Sequence, residues 1–175
     1  MLNSERLVEG WLLRAILNAD GRNSAFLSIF CDLMLGMPKK LILLIDDDLN
    51  MAYLLQFMLE REGYEVVHLL DGNLAKEYLE ANKACDLIIL ELMLPYVDGF
   101  ELLKIIRSAP LTRQTPVMVL TAKEQEIDVV RAFAMGGDDY VKKPFAPGEL
   151  MARVHRNIQK LSGAANTEFS EGAAL

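Results

Sequence analysis

Acidic residues, one hydroxyl and one lysine follow directly on apolar runs in this sequence. Asp46, Asp47 and Asp48 come after Leu41–Ile45, and Glu91 comes after Leu87–Leu90. Thr121 comes after Pro116–Leu120, and Lys142 and Lys143 come after Tyr140–Val141. Brought to one edge, these groups make a particular chemistry. Crowded carboxylates repel one another, so the cluster needs a cation among them. A hard, oxygen-preferring ion such as Mg²⁺ suits it, and a lysine supplies further positive charge. Magnesium, an ammonium and a hydroxyl around one carboxylate are the equipment for phosphoryl transfer onto that carboxylate. Taken singly, Thr121 and Lys143 carry no signal, and Asp48 reads best as the N-cap of the helix that follows it. Their joint occurrence at successive run ends is what points to a site.

The elements that must position these groups alternate. Leu41–Ile45, Glu65–Leu69, Leu87–Leu90, Pro116–Leu120 and Tyr140–Val141 read as short strands. Between and after them, helices are expected over Leu49–Glu62, from the cap Asp71 to Ala81, over Phe100–Arg107, over Glu124–Met135 and over Pro147–Gln159. In the first of these Met51, Leu54, Leu55, Met58 and Leu59 are expected to face inward, and Gly63 to stop it. Strands apolar on both faces, joined by helices, require a parallel sheet covered on both sides. Right-handed crossovers make it doubly wound, and ligands in such α/β sheets sit at the carboxyl ends of the strands.

Three segments are expected. Residues 1–36 read as a helical hairpin, 37–160 as the main domain and 161–175 as a flexible tail. Gly36-Met37-Pro38-Lys39-Lys40 is the linker after the hairpin, whose second helix, roughly 24–35, is apolar almost all round and calls for burial. The net charge of −7 makes the chain a poor match for phosphate backbones, so no direct nucleic-acid contact is expected. Leu161–Leu175 is also too short for a helix-turn-helix domain. No apolar run reaches the ~20 residues that span a bilayer, and no signal peptide is evident, so a cytoplasmic protein without membrane contact is expected. Cys31 and Cys85 lie far apart and read as free thiols packed as small hydrophobes.

Leu43-Leu44-Ile45-Asp46-Asp47-Asp48, Leu94-Pro95-Tyr96-Val97-Asp98-Gly99, Val119-Leu120-Thr121-Ala122 and Asp138-Asp139-Tyr140-Val141-Lys142-Lys143-Pro144-Phe145 resemble the receiver domain of bacterial two-component response regulators. The resemblance spans about residues 39–160, in order. It implies a five-stranded flavodoxin-like sheet of order 2-1-3-4-5 and a non-enzymatic signalling role. It further implies that Asp46, Asp47, the residue at position 91 and the Met93 carbonyl hold Mg²⁺. Thr121 and Lys143 would contact a phosphoryl group, Tyr140 would be an aromatic that turns inward on activation, and Lys143-Pro144 would be a cis bond. The partners implied are a sensor kinase or a downstream signalling protein. A homodimer could form through the N-terminal helices or through the face of helix four, strand five and helix five.

The sequence departs from the family at the central acid. Asp86-Leu87-Ile88-Ile89-Leu90 is followed by Glu91, where the family carries aspartate. The side chain is one methylene longer, and misplacement of a reacting group by about 1 Å can cost ~10²-fold in rate. Three consequences stay open: Glu91 pairs with Lys143 and imitates the phosphorylated state, Glu91 is a silent relic in a binding module, or Glu91 still accepts phosphate. An enzyme alternative also stands, because Asp46-x-Asp48 after an apolar strand resembles the nucleophile motif of haloacid-dehalogenase-type phosphatases. That family needs an acidic pair after the lysine, and here only Glu149 follows.

Overall fold

The chain divides into two units, residues 1–39 and 40–175. The computed structural model describes residues 39–81 and 83–171. The expected helical hairpin and Cys31 lie outside the described residues.

Strands β1 (Leu41–Ile45), β2 (Glu65–Leu69), β3 (Leu87–Leu90), β4 (Val117–Thr121) and β5 (Asp139–Lys142) alternate with helices α1 (Leu49–Arg61), α2 (Gly72–Glu80), α3 (Gly99–Ser108), α4 (Glu126–Ala134) and α5 (Pro147–Glu171). The strands pair in parallel in the order β2-β1-β3-β4-β5, as the resemblance implied. The alternation of side chains along each strand explains the two layers. Leu43, Ile45, Ile88, Leu90, Val117 and Val119 bury against Ala75 and Leu79 of α2, Phe100, Leu103 and Ile106 of α3, and Ala132 of α4. Ile42, Leu44, Leu87, Ile89, Met118 and Leu120 bury against Ala52, Leu55 and Leu59 of α1 and Leu150, Val154 and Ile158 of α5.

Local chemistry sets the element ends. Asp48, Asp71 and Asp98 each accept backbone N–H bonds and cap α1, α2 and α3. Past the C-cap of α1, Gly63 takes φ 91°, a left-handed conformation that glycine adopts without a Cβ penalty. Two expectations need correction. Leu54 is exposed rather than inward, because the buried face of α1 runs through Ala52, Leu55 and Leu59, and Leu54 falls beside that stripe. The last helix runs past Gln159 to Glu171, through most of the segment expected to be a flexible tail. Gly163 alone costs a helix only ~1 kcal/mol, Ala164 and Ala165 favour it, and no proline follows to stop it. Burial pushes the Cys85 thiol up to about 12, which leaves it an inert core residue. No helix among the described residues is long and apolar enough to cross a membrane.

Two glycines bring the loop after β3 into place. Gly99 donates to the Leu92 carbonyl at 3.0 Å, and a Cβ there would lie 2.5 Å from the carbonyl oxygen of Glu91. Gly72 donates to Pro95 at 3.3 Å, and a Cβ there would lie 1.9 Å from the Val97 carbonyl oxygen. Residues 92–98 are thus held between the starts of α2 and α3, with backbone against backbone. Gly148, in the first turn of α5, has open space around it. Gly72→Ala and Gly99→Ala are each expected to cost about 2–3 kcal/mol, and Gly148→Ala to be neutral or stabilising by up to ~1 kcal/mol. Urea denaturation of the three variants measures this. Equal midpoints for all three would mean that the loop is not clamped.

Candidate functional site

The carboxyl ends of β1, β3, β4 and β5 carry the groups singled out in the sequence, and the structure brings four of them into contact. Glu91 is 4% exposed and Asp46 1% exposed. The Lys143 ammonium lies between them, donating to Asp46 Oδ2 at 2.6 Å and to Glu91 Oε2 at 2.9 Å. Thr121 completes the group, its hydroxyl donating to Glu91 Oε1. The peptide bond between Lys143 and Pro144 is cis.

Glu91 folds back over its own loop. Its Oε1 accepts the backbone N–H of Leu92 at 2.7 Å and of Met93 at 3.0 Å, in addition to the Thr121 hydroxyl. With Lys143 on Oε2, every part of a buried charge has a donor, which is the condition for keeping it in the interior. Asp46 is held as firmly. Its Oδ1 accepts from Asp48 N–H at 3.0 Å, its N–H reaches the Leu69 carbonyl at 3.2 Å, and its carbonyl lies 2.8 Å from His68 Nε2.

The other acids go elsewhere. Asp48 serves as the α1 cap, with Asn50 and Met51 N–H on its carboxylate, and Asp47 is exposed. Among the described residues no group of three or more His, Cys, Asp or Glu side chains converges at metal-holding geometry. The crowding expected from the sequence is therefore relieved inside the protein: Lys143 is the cation between the two buried carboxylates. Lys142, one residue earlier, is exposed and pairs with Glu124.

Burial and charge act in opposite directions here. Burial raises the pKa of Asp46 above its ordinary 3.8, and the Lys143 ammonium and the Asp48 N–H only partly offset it. Burial works to lower that of Lys143, but hydrogen bonds and charge from Asp46 and Glu91 outweigh it and raise the value above 10.5. Tyr140 is raised as well, by burial and then by the charges of Asp128 and Glu91, so it keeps its proton. Its hydroxyl donates to the Lys123 carbonyl at 3.0 Å, and its ring lies 6.4 Å from that of Phe133.

The motifs named above thus stand at one sheet edge in one fold. The model of the response regulator receiver domain matches residues 42–155. This chain belongs to that family. It is 43% identical over 129 residues to the alkaline phosphatase synthesis transcriptional regulatory protein PhoP of Bacillus subtilis, a match covering 74% of this chain and 52% of that protein. It is 42% identical over 124 residues to the phosphate regulon transcriptional regulatory protein PhoB of Rhizobium meliloti, covering 71% and 53%. The chain therefore spans about half the length of these curated relatives. Among solved structures, the receiver domain of a sensor histidine kinase from Pseudomonas aeruginosa superposes with a TM-score of 0.64 at 30% identity, over 70% of this chain and 99% of that one. That domain was solved with a magnesium ion coordinated in its active-site cleft. As a receiver domain, this chain is a module of two-component signalling.

Several site residues had no sequence signal that marked them. The Leu92 and Met93 amides are invisible in a sequence, since any residue supplies an N–H. The contact of His68 with Asp46 spans 22 residues and depends on β2 lying beside β1. The close backbone contacts at Gly72 and Gly99 needed coordinates.

The folded state holds the Asp46 proton more tightly than the unfolded chain does. The contribution of this group to stability therefore falls as pH rises from 3.8 through its raised value, and stays at its lowest above that. Asp46→Asn removes the buried charge and keeps an acceptor for Lys143, while its NH2 replaces the oxygen that accepts from Asp48 N–H. It is expected to be more stable than the natural chain at pH 7 by ~1 kcal/mol, a rise of about 3–6 °C in thermal midpoint. The advantage should shrink as pH is lowered toward 3.8. Thermal melts of both chains across that range test it, and a destabilised Asp46→Asn at pH 7 would show that pairing outweighs burial.

Proposed function

We propose that this chain is a receiver module in which Glu91 stands in for a phosphoryl group, that phosphorylation is lost, and that its output is contact with other proteins. One buried carboxylate carries this proposal. Glu91 holds both the Thr121 hydroxyl and the Lys143 ammonium, the two groups that would contact a phosphoryl group by the family resemblance. Tyr140 supports it, half-buried and hydrogen-bonded to Lys123 beside Thr121 rather than turned out into solvent. These contacts favour mimicry over a silent relic, because a relic has no reason to gather both groups.

Glu91 is also poorly placed as a nucleophile. Attack on a phosphodonor needs a free lone pair aimed along the reaction axis. Oε1 is engaged by three donors, and Oε2, which keeps one lone pair, is paired with the lysine rather than open to a donor molecule. The phosphatase alternative lacks its acidic pair, since only Glu149 follows the lysine.

The donor set at this edge, carboxylate and carbonyl oxygen, is of the type that suits a hard cation. Exposed Asp47, Asp46 beside it and the Met93 carbonyl would hold Mg²⁺ through one or two carboxylates, as that ion accepts. When bound, the ion neutralises anionic oxygen at this edge. The ion pairs of Lys143 with Asp46 and Glu91 compete for the same carboxylates, so binding is proposed to be weak. Partners are a sensor kinase or a downstream signalling protein. The face of α4, β5 and α5 is the proposed contact or dimer surface, where Ile127, Val130 and Phe133 of α4 are 72%, 60% and 47% exposed. Neither nucleic acid nor membrane is a proposed partner of the described residues.

Incubation with Mg²⁺ and acetyl phosphate, followed by intact mass, tests the loss of phosphorylation. The natural chain is expected to stay unmodified, and Glu91→Asp to gain one phosphoryl group. A stoichiometric adduct on Glu91 itself would overturn the proposal.

A further inference from the structure

Helix α1 turns an apolar row toward solvent. Leu49, Tyr53 and Phe57 follow one another at four-residue spacing and are 50%, 69% and 60% exposed. Arg61 continues the same row, and its guanidinium lies 5.6 Å from the centre of the Phe57 ring. Residues four apart stand one above another on a helix, so these side chains form a ridge about 18 Å long. Single apolar residues on a surface are ordinary, but a contiguous ridge marks a contact surface. The core does not use it, since α1 buries Ala52, Leu55 and Leu59 instead.

The charges at the two ends of the ridge decide what fits on it. Exposed Asp47 and Asp48 stand at its start and exposed Arg61 at its end. Both capping bonds that Asp48 accepts fall on Oδ1. Laid antiparallel on a copy of itself, the ridge brings each Arg61 to the acidic start of the other helix. The same arrangement sets each Tyr53 ring against the other copy's Phe57 ring. Parallel pairing would instead set Arg61 against Arg61 and acid against acid. One twofold axis, crossing the ridge between Tyr53 and Phe57, makes all of these contacts at once.

We propose that α1 is a self-association surface, on which a second copy of this chain packs antiparallel about a twofold axis. Each copy then adds the Arg61 guanidinium to the sheet edge of the other, beside Asp47 and Asp48. This ridge lies on a different helix from Ile127, Val130 and Phe133, and the inference is independent of how Glu91 acts. Its two aromatic side chains bury at most ~150–250 Å² each, so the ridge falls short of the ~800 Å² per partner of a standard stable interface. The dimer is therefore weak, with a dissociation constant on the order of 100 μM.

Sedimentation equilibrium of the full chain from about 5 to about 500 μM, which brackets that constant, tests this in low and high salt. A monomer–dimer equilibrium is expected. Tyr53→Ser and Phe57→Ser should each weaken it about tenfold or more. Arg61→Glu should weaken it about threefold to tenfold in low salt, and less in high salt. Phe133→Ser, on α4, should leave it unchanged. All four side chains are exposed, so the variants keep the fold, which far-ultraviolet circular dichroism checks. A chain that stays monomeric throughout would overturn the inference, as would a dimer that Tyr53→Ser and Phe57→Ser leave intact. A dimer lost in Phe133→Ser but kept in Phe57→Ser would move self-association to α4 and equally overturn it. Tighter association of Arg61→Glu would rule out the antiparallel arrangement.

Discussion

The position of one ammonium between two buried carboxylates is the constraint on which the rest of this site depends. Lys143 reaches Asp46 across 97 residues of sequence and Glu91 across 52. Only a parallel sheet that places β1 and β3 side by side, with β4 and β5 continuing from β3, brings the three together. Remove the ammonium and two adjacent buried charges remain, each poorly hydrated and repelling the other, a strongly destabilising arrangement. Burial already raises the pKa of Asp46 despite the pairing, so the cluster holds its charges at a cost. Such costs are retained at sites whose geometry matters more than their stability.

Within that constraint the extra methylene of Glu91 has two effects. It lets the carboxylate turn back onto the Leu92 and Met93 amides and so be satisfied locally. It also brings the same oxygens to Thr121 and Lys143 without any added group. A phosphoryl group carries nearly two charges at neutral pH, a carboxylate one. As the proposed stand-in, Glu91 is thus weaker per contact, but it is permanently attached and loses no affinity to dilution.

The sheet was legible in the sequence because most of its strands are short apolar runs and its helices carry clear starts, such as Asp48, Asp71 and Pro147. Strand order was not legible from the pattern alone and came through the resemblance. The site acids were legible as types at strand ends, yet their division of labour was not. Asp46, Asp47 and Asp48 are adjacent and chemically identical, and only the backbone turn after β1 decides that the first is buried, the second exposed and the third a cap. The backbone donors on Glu91 and the close contacts of Gly72 and Gly99 depend on distances between main-chain atoms, which residue identity does not encode. Leu54 shows the limit of periodicity: an apolar residue one position from the buried stripe is exposed nonetheless.

A built-in charge changes what regulation can mean. A ligand shifts a two-state equilibrium only by the difference in its interaction with the two states. Glu91 is always present, so its bias toward one arrangement of Thr121 and Lys143 is constant. Variation must then come from groups that compete for the same atoms. Lys143 and Asp46 are the atoms in demand, since a divalent cation held by Asp46 and Asp47 would draw on a carboxylate that the lysine now holds. On the proposed reading of Glu91, a receiver so built would answer to the groups that compete for these atoms rather than to phosphate.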